Sequence, residues 1–541
     1  MDPEAPNVLH TLSRRANWSR ANEKGVFPGV STPLNWSIWG EIGERSVRRA
    51  AWELGLLDEQ ELAPPVSVDD WMWSIFYGRP AANVDCWRML YERGLAEVGG
   101  GEAVQRQVFG EAPSSECTPS STGRRDEIAR RRPRVLAETP VRLRAIRAEV
   151  EAWWREATSP TALRDADGAR TCFATALDWF ERADRDHILV SLLATQAMTA
   201  VSSASERAGL SEVANALMIG YPGMEEFRTT VALWDLSRGR ISLDAFLAEH
   251  GFHGPGEGEI ESRSWRERPE PVLALARHYD SLHETDDPRL REERSIEKRQ
   301  RLERELRAAV EPGERSALDD ALTRTATFLP LRESGRATLT LALDAMRAAA
   351  RVLGKDLARN GLLHAPEEAF LLTRGELLEP RSGLAALTRA RRQLRETYAS
   401  FDLPETWQGM PDKRPLDGSG AGAPGASEAV VDAGARLEGL GASAGVHEGV
   451  ARVVLDPVEL EEDFDPGDVL VAPATDPSWA PLFLVAGAVV IDTGSNISHA
   501  AVVAREMGIP AVVSVSDASR RLRSGQKLRV DGGTGTVEVL A

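Results

Sequence analysis

Through most of the first 410 residues, apolar positions recur every third or fourth place. The clearest runs are 138–156, 172–208, 298–310 and 336–354, rich in Ala, Leu, Arg and Glu. This spacing predicts amphipathic helices, because residues three and four apart share one helix face. The period breaks at residue 411, where 411–427 reads PDKRPLDGSGAGAPGAS. A stretch of that composition predicts a flexible linker. Beyond it, Val-rich runs at 449–455, 468–472, 488–492, 511–514, 527–530 and 536–540 predict short strands. Two stretches of the helical part stand apart. The Gly- and Ser-rich segment 98–125 reads as a surface loop. The run Arg289–Arg307 alternates acids with bases, so it reads as a solvated charged helix rather than an RNA-binding one.

A chain of 541 residues is too long for one ordinary core. The pattern divides it into a mostly α-helical part over 1–410, a linker over 411–435 and a small α/β part over 436–541. Asp and Glu number 83 against 65 Lys and Arg, a net charge of −18. That excess repels phosphate backbones and anionic lipid, so neither nucleic acid nor a membrane is expected as a partner. The three cysteines, Cys86, Cys117 and Cys172, form no C-x-x-C pair, which excludes a disulfide framework and a cysteine zinc site. The N-terminus lacks a basic-then-apolar signal profile. The longest uncharged apolar run, 481–491, has 11 residues, short of the roughly 18 a span needs. The expectation is a cytoplasmic protein.

Candidate chemistry concentrates in Val489-Ile-Asp-Thr-Gly-Ser-Asn-Ile-Ser-His499-Ala-Ala-Val-Val-Ala-Arg-Glu-Met-Gly-Ile-Pro510. A buried strand ends near Asp492, a turn holds Gly494, Ser495 and Asn496, and Ser498 is placed to cap a helix that Gly508 and Pro510 stop. His499 then stands in the first turn. A neutral imidazole is a competent nucleophile toward phosphorus near pH 7. The free N–H groups of a helix N-terminus favour the anion that results. Taken alone, the same histidine reads as a structural residue that caps its helix.

The surrounding pattern adds to this. Gly467-Asp-Val-Leu-Val-Ala-Pro-Ala-Thr-Asp-Pro-Ser-Trp479-Ala-Pro-Leu-Phe483 precedes the histidine, Val530-Asp-Gly-Gly-Thr-Gly-Thr-Val537 follows it, and Ser443-Ala-Gly-Val-His-Glu-Gly449 opens the region. Together, over roughly 440–541, they resemble the swivelling phosphohistidine domain of phosphoenolpyruvate-utilising enzymes. That family includes phosphoenolpyruvate synthase, pyruvate phosphate dikinase and rifampicin phosphotransferase. One departure is Ser495, where the family usually has a second glycine. The resemblance implies that His499 carries a phosphoryl group between two sites, with Ser495, Asn496 and Ser498 lining the phosphate.

Three motifs of the helical part land in the order of the rifampicin phosphotransferase-like proteins. Asn22-Glu-Lys-Gly-Val-Phe-Pro-Gly-Val-Ser-Thr-Pro33-Leu-Asn-Trp-Ser37 resembles their P-G-x-x-[ST]-P-L-x-x-S segment, in a structural or a pocket role. His250-Gly-Phe-His253-Gly-Pro-Gly-Glu257-Gly-Glu259 resembles their G-H-R-G-P-x-E loop, with Phe252 at the family's His and His253 at its Arg. His253 is a candidate general base toward a substrate hydroxyl and Glu257 a candidate to orient it, the alternative being two residues that only structure the loop. Leu331-Arg332-Glu333-Ser-Gly-Arg336 puts Arg332 and Arg336 one helical turn apart, a fork for a transferring phosphoryl group. It resembles the family's R-E-x-x-[KR] helix. The segment Gly361–Leu377 also resembles the family and reads as scaffold.

The implied protein is a multidomain phosphotransferase: a large mostly α-helical acceptor-binding domain joined to a small C-terminal α/β swivelling phosphohistidine domain. Neither the family's phosphoenolpyruvate-binding barrel nor a Walker A segment is found. ATP and Mg²⁺ are therefore expected on a separate ATP-grasp partner, with no metal held by this chain. There ATP would yield AMP and inorganic phosphate, and His499 would carry the remaining phosphoryl to a small-molecule hydroxyl. The alternatives are a phosphorylation-coupled dehydratase and a catalytically degenerate ligand-binding protein.

Overall fold

The computed structural model describes residues 8–95, 109, 124–210, 213–415, 431–455, 464–494 and 498–540. Most of the predicted loop at 98–125, and 416–430 of the linker, lie outside the described residues.

The apolar spacing of the first 410 residues does build helices. Those that position the site are α1 (Glu23–Val26), α2 (Pro33–Glu53), α3 (Val84–Leu95), α4 (Arg125–Ala157), α5 (Ala166–Arg207), α6 (Glu225–Ser237), α7 (Leu243–His250), α8 (Glu270–Asp280), α9 (Pro288–Ala309) and α10 (Arg315–Arg359). Two long helices, α5 and α10, form the spine and pack along most of their length, with α2 and α4 laid against them. Their shared face is apolar: Phe173, Ala176, Phe180 and Ala183 of α5 meet Ala342, Ala345, Met346 and Ala349 of α10. Small residues on both sides let the helix backbones come close. By length and composition α5 could cross a membrane, yet here it lies inside this core and carries the buried Asp184 and Asp186.

The helical part is not purely helical. A four-stranded sheet, in the order β2-β3-β1-β5, joins Trp73–Phe76 (β2), Arg79–Asn83 (β3), Asn17–Ser19 (β1) and Thr406–Gln408 (β5). Its strands are all antiparallel to their neighbours. The sequence reading did not anticipate it. The strands are three to five residues long and lack alternation, since β3 is buried throughout. The sheet matters because it ties 406–408 back to residues 17–19 and holds α1 against α2 and α3.

Residues 431–540 form the α/β unit predicted from the Val-rich runs. Before it, Phe401–Asp402 (β4) and Arg414–Pro415 (β6) form a separate antiparallel pair. The eight-stranded sheet of the α/β unit, whose outer strands are Arg436–Glu438 (β7), Leu440–Ser443 (β8), Lys527–Asp531 (β13) and Thr536–Val539 (β14), has the order β7-β14-β13-β9-β10-β11-β12-β8. At its centre Val446–Val453 (β9), Val469–Ala472 (β10), Ala488–Ile491 (β11) and Ala511–Val513 (β12) run parallel. Strands β10 to β12 are buried at every position, as parallel strands covered on both faces must be. One cover is α11 (Ala480–Val485) with α12 (His499–Met507). These two helices also dock the unit on the helical part. Trp479, Leu482 and Phe483 share a core with Trp234, Phe246, Trp265 and Tyr279. Burying each such large apolar side chain contributes roughly 1.5–3 kcal/mol. The Tyr279 hydroxyl donates to the Pro481 carbonyl at 2.9 Å, and Arg291 reaches the carbonyls of Leu484 and Met507 at 3.4 Å each.

Candidate active site

His499 is the first residue of α12, with Ser498 as its N-cap in extended conformation and Gly508 ending the helix at φ +69°. Gly494, at φ +127°, shapes the turn before it, and a β-carbon there would lie 2.9 Å from the Ser498 Oγ. The imidazole Nδ1 lies 3.3 Å from Thr475 Oγ1, while Nε2 is buried with no hydrogen-bond partner among the described residues. In the tautomer whose Nδ1–H donates to Thr475, Nε2 carries the free lone pair. Burial, helped by the nearby Arg336, holds the imidazole pKa well below 6.5. The neutral, nucleophilic form therefore prevails at neutral pH.

His499 opens on a cavity of about 390 Å³ between the α/β unit and the helical part. Arg332 and Arg336 line the same cavity, as do Glu257 and Ser498. Arg332 and Arg336 stand on one face of α10, as their spacing predicts. Between them Glu333 takes Arg332 Nε at 3.2 Å and faces Arg336 Nε at 4.0 Å. Arg336 also reaches Glu226 Oε1 of α6 at 3.5 Å. Burial would favour neutral carboxyls here. The two guanidiniums overrule it for Glu333, which stays ionised, whereas burial and the charge of Glu333 push Glu226 up. The arginines are thus held in place by a buried acid pair and remain cationic.

The 250–259 loop meets the α/β unit directly. Buried Arg347 pins it by donating to the carbonyls of Glu257, Glu259 and Ile260 at 3.2–3.3 Å. Gly256, at φ +64°, turns its N–H to Asp476 Oδ2 at 2.7 Å. Burial and Glu257 push the Asp476 carboxyl up to about 6. Glu259 joins this loop to the first motif, accepting from Ser31 Oγ at 2.8 Å and Thr32 Oγ1 at 2.6 Å. The roles drawn from the sequence for His253 and Glu257 find a different placement. Glu257 lines the cavity, whereas His253 lies behind it, almost fully buried, with Nδ1 2.9 Å from Glu257 Oε2. Ser495 and Asn496 lie outside the described residues.

Other lining residues, Trp36 apart, stand in no motif of the sequence. On α5, Asp184, His187, Ser191 and Thr195 form a stripe at helical spacing along the cavity. His187 packs on Gly335, between the two arginines, and burial with Arg332 beside it lowers its pKa to about 4. Trp36 and Trp39 of α2, Trp73 of β2 and Trp87 of α3 supply an aromatic wall. Helical periodicity could have exposed the α5 stripe, had its polar members been weighed together.

Glu225, His250 and His253 bring three potential metal-ligand atoms within 4.8 Å of one another. Arg147 and Arg228, however, each donate to a Glu225 oxygen at 3.1 Å. Two guanidiniums already neutralise this carboxylate and would repel a divalent cation.

Comparison with known proteins agrees with this geometry. Residues 464–535 match the mobile domain of PEP-utilising enzymes, and residues 238–333 match the fourth domain of rifampicin phosphotransferase. A rifampicin phosphotransferase of Streptomyces sviceus is 32% identical over 307 residues, covering 56% of this chain and 34% of that protein. An uncharacterised phosphotransferase of Bacillus subtilis is 32% identical over 316 residues, covering 56% and 36%. The rifampicin phosphotransferase of Bacillus cereus is 26% identical over 306 residues. The aligned part amounts to about a third of the length of each of these relatives. The resemblance read from the motifs is thereby borne out: this chain is rifampicin phosphotransferase-like and carries a PEP-utilising mobile domain.

Proposed function

We propose that this chain is the phosphocarrier and acceptor-binding part of a dikinase-type phosphotransferase that works in the cytoplasm. His499 takes a phosphoryl group from an ATP- and Mg²⁺-using ATP-grasp partner, swings back and passes it to a hydroxyl of a small molecule in the cavity. The observation that carries this reading is that His499, Arg332 and Arg336 line one cavity. In the transfer step the His499 Nε2–P bond breaks as the hydroxyl oxygen bonds to phosphorus. Charge spreads over the phosphoryl oxygens, where Arg332 and Arg336 stabilise it. The hydroxyl proton passes to Glu257, the acid that lines the cavity, with His253 holding that carboxylate from behind. The geometry supports Glu257 rather than His253 as the base, because the hydroxyl can reach only a group that faces it.

The test is labelling with ATP carrying ³²P at the β-phosphate, an ATP-grasp partner and Mg²⁺. Wild type should gain an acid-labile label that His499→Ala lacks. Equal labelling of the two overturns the proposal.

A further inference from the structure

Several buried polar atoms without a hydrogen-bond partner among the described residues belong to residues that line this one cavity. Three of them, on His499, Glu333 and Arg336, serve the transfer chemistry. Others do not: Glu23 Oε2, Asp184 Oδ2, Trp39 Nε1 and Trp87 Nε1. Buried polar atoms are almost always satisfied, so a group of them on one cavity wall marks where a ligand supplies the missing partners.

The chemistry of that wall is specific. Glu23 and Asp184 are carboxyls with no ion pair among the described residues, and Asp184 is almost fully buried. The aromatic rings are contiguous with them. Trp73 Nε1 donates to Glu23 Oε1 at 3.4 Å, Trp73 and Trp87 lie 5.0 Å apart edge to face, and Trp87 and Tyr91 lie 6.1 Å apart. Trp39 packs edge-on against Phe27 at 5.5 Å and Phe180 at 4.8 Å. Carboxylates set among indole rings attract an organic cation through charge and through the ring quadrupoles, and the Trp39 and Trp87 N–H groups call for an acceptor oxygen on the same ligand. The cavity's 390 Å³ suits a drug-sized molecule.

We propose that the acceptor is an amine-bearing, hydroxylated aromatic molecule, whose ammonium group sits against the wall of Glu23, Asp184 and the indoles of Trp39, Trp73 and Trp87. The inference rests on reading this cavity as the acceptor site. It adds the chemical class that the transfer residues leave open. Burial raises both carboxyls to about 7. Hydrogen bonding, from Trp73 among others, and then the charge of Arg20 partly offset it at Glu23. At Asp184 the Ser46 hydroxyl partly offsets it and Glu181 adds to it. A bound ammonium therefore displaces protons, and its affinity rises with pH.

The experiment is calorimetric titration of the full chain, without ATP or partner, with a matched pair of probes. These are propranolol, a naphthyl ether carrying a hydroxyl and a secondary amine, and 3-(1-naphthyloxy)propane-1,2-diol, its uncharged counterpart. The amine should bind at least about tenfold more tightly at pH 8. That preference should shrink from pH 8 to pH 6 while the affinity of the diol stays flat, and it should vanish in the near-isosteric Glu23→Gln/Asp184→Asn variant, with folding checked by thermal melting. Equal binding of the two probes, binding of neither, or a preference that survives in the variant overturns the proposal. His499→Ala separates the two readings. If wild type takes no label yet the amine preference holds in both proteins, the carrier role fails and the acceptor class stands.

Discussion

Glu506 of α12 accepts the main-chain N–H of Gly220 at 3.1 Å, so α12 is tied to the helical part seven residues after His499. Arg299 buttresses the contact, donating to the Gly220 carbonyl at 3.2 Å and lying over Tyr221 at 4.4 Å. On the proposed carrier role, a swing of His499 has to break this tie on every cycle. Burial raises the Glu506 carboxyl from 4.5 to about 7, with Glu292 adding to it and Arg299 and Arg505 opposing. A group raised in the docked state favours docking fully below its undocked value and ceases to do so above its docked value. The contribution of Glu506 to docking should therefore fall about tenfold per pH unit between 4.5 and 7 and level off above. His499, lowered in the docked state, acts in the opposite sense, favouring docking above 6.5 and opposing it as the pH falls. The ratio of docking constants of wild type and Glu506→Gln, read from hydrogen exchange at the interface between pH 5 and 8, isolates Glu506. A ratio independent of pH would refute the assignment.

On the proposed function, Arg332 and Arg336 act on the transferring group, not on the charging of His499. Arg332→Ala should lower the rate of transfer from phosphohistidine to acceptor by about 10²–10³-fold, the usual loss for one preorganised charge. Arg336→Ala also strands Glu226 and Glu333 as a buried acid pair, so Arg336→Lys, which keeps the charge and loses the fork, is the cleaner probe. In both Arg332→Ala and Arg336→Lys, labelling of His499 should proceed as in wild type. A parallel loss of labelling and transfer would assign the arginines to the carrier instead.

Gly335 stands between the two arginines, where a β-carbon would lie 2.9 Å from His187 Nδ1 and 3.2 Å from its Cβ. In an exposed helix, Gly→Ala gains about 1 kcal/mol. Here the clash should reverse the sign, destabilising by about 1–3 kcal/mol and slowing transfer as α10 shifts against α5. Adding His187→Ala should restore the helix gain, giving a coupling above about 0.5 kcal/mol in a thermal or urea double-mutant cycle. Simple additivity of the two changes would contradict the contact.

Local order carried much of this architecture into the sequence. The helical period of α4, α5 and α10, the short buried strands β10 to β12 and the strand–turn–helix around His499 all follow from neighbours in the chain. So does the shared face of Arg332 and Arg336, fixed by a four-residue spacing. What stayed hidden depends on segments far apart in sequence. Strand β1 pairs with β5 almost 390 residues away (Trp18 with Trp407), and strands so short leave no pattern to read. Asp184 and Trp87 carry no signal of their own, and Glu23 only its place in the 22–37 motif, until α1, α3 and α5 bring them to one cavity. Asp476 and Glu506 gain meaning only from Gly256 and Gly220 across the interface. The exchange of position between Glu257 and His253 is of the same kind, since Arg347 of α10 decides which way the loop faces.

That exchange gives the last prediction. Glu257 lines the cavity while His253 Nδ1 holds it from behind at 2.9 Å. On the proposed mechanism Glu257→Gln removes the proton acceptor but keeps the shape, so transfer should slow by about 10²–10⁴-fold with His499 labelling intact. On the same proposal His253 is a positioning residue. His253→Asn, which can still donate to the Glu257 carboxylate, should retain most of the rate. His253→Phe should lower kcat with little change in acceptor KM, because the carboxylate loses its support while the apolar walls of the cavity stay as they are. If His253 itself took the proton, the pattern would invert. His253→Asn would then be as slow as His253→Phe, and Glu257→Gln would be the milder change. Single-turnover chase of labelled wild type and these three variants with an acceptor hydroxyl separates the two outcomes.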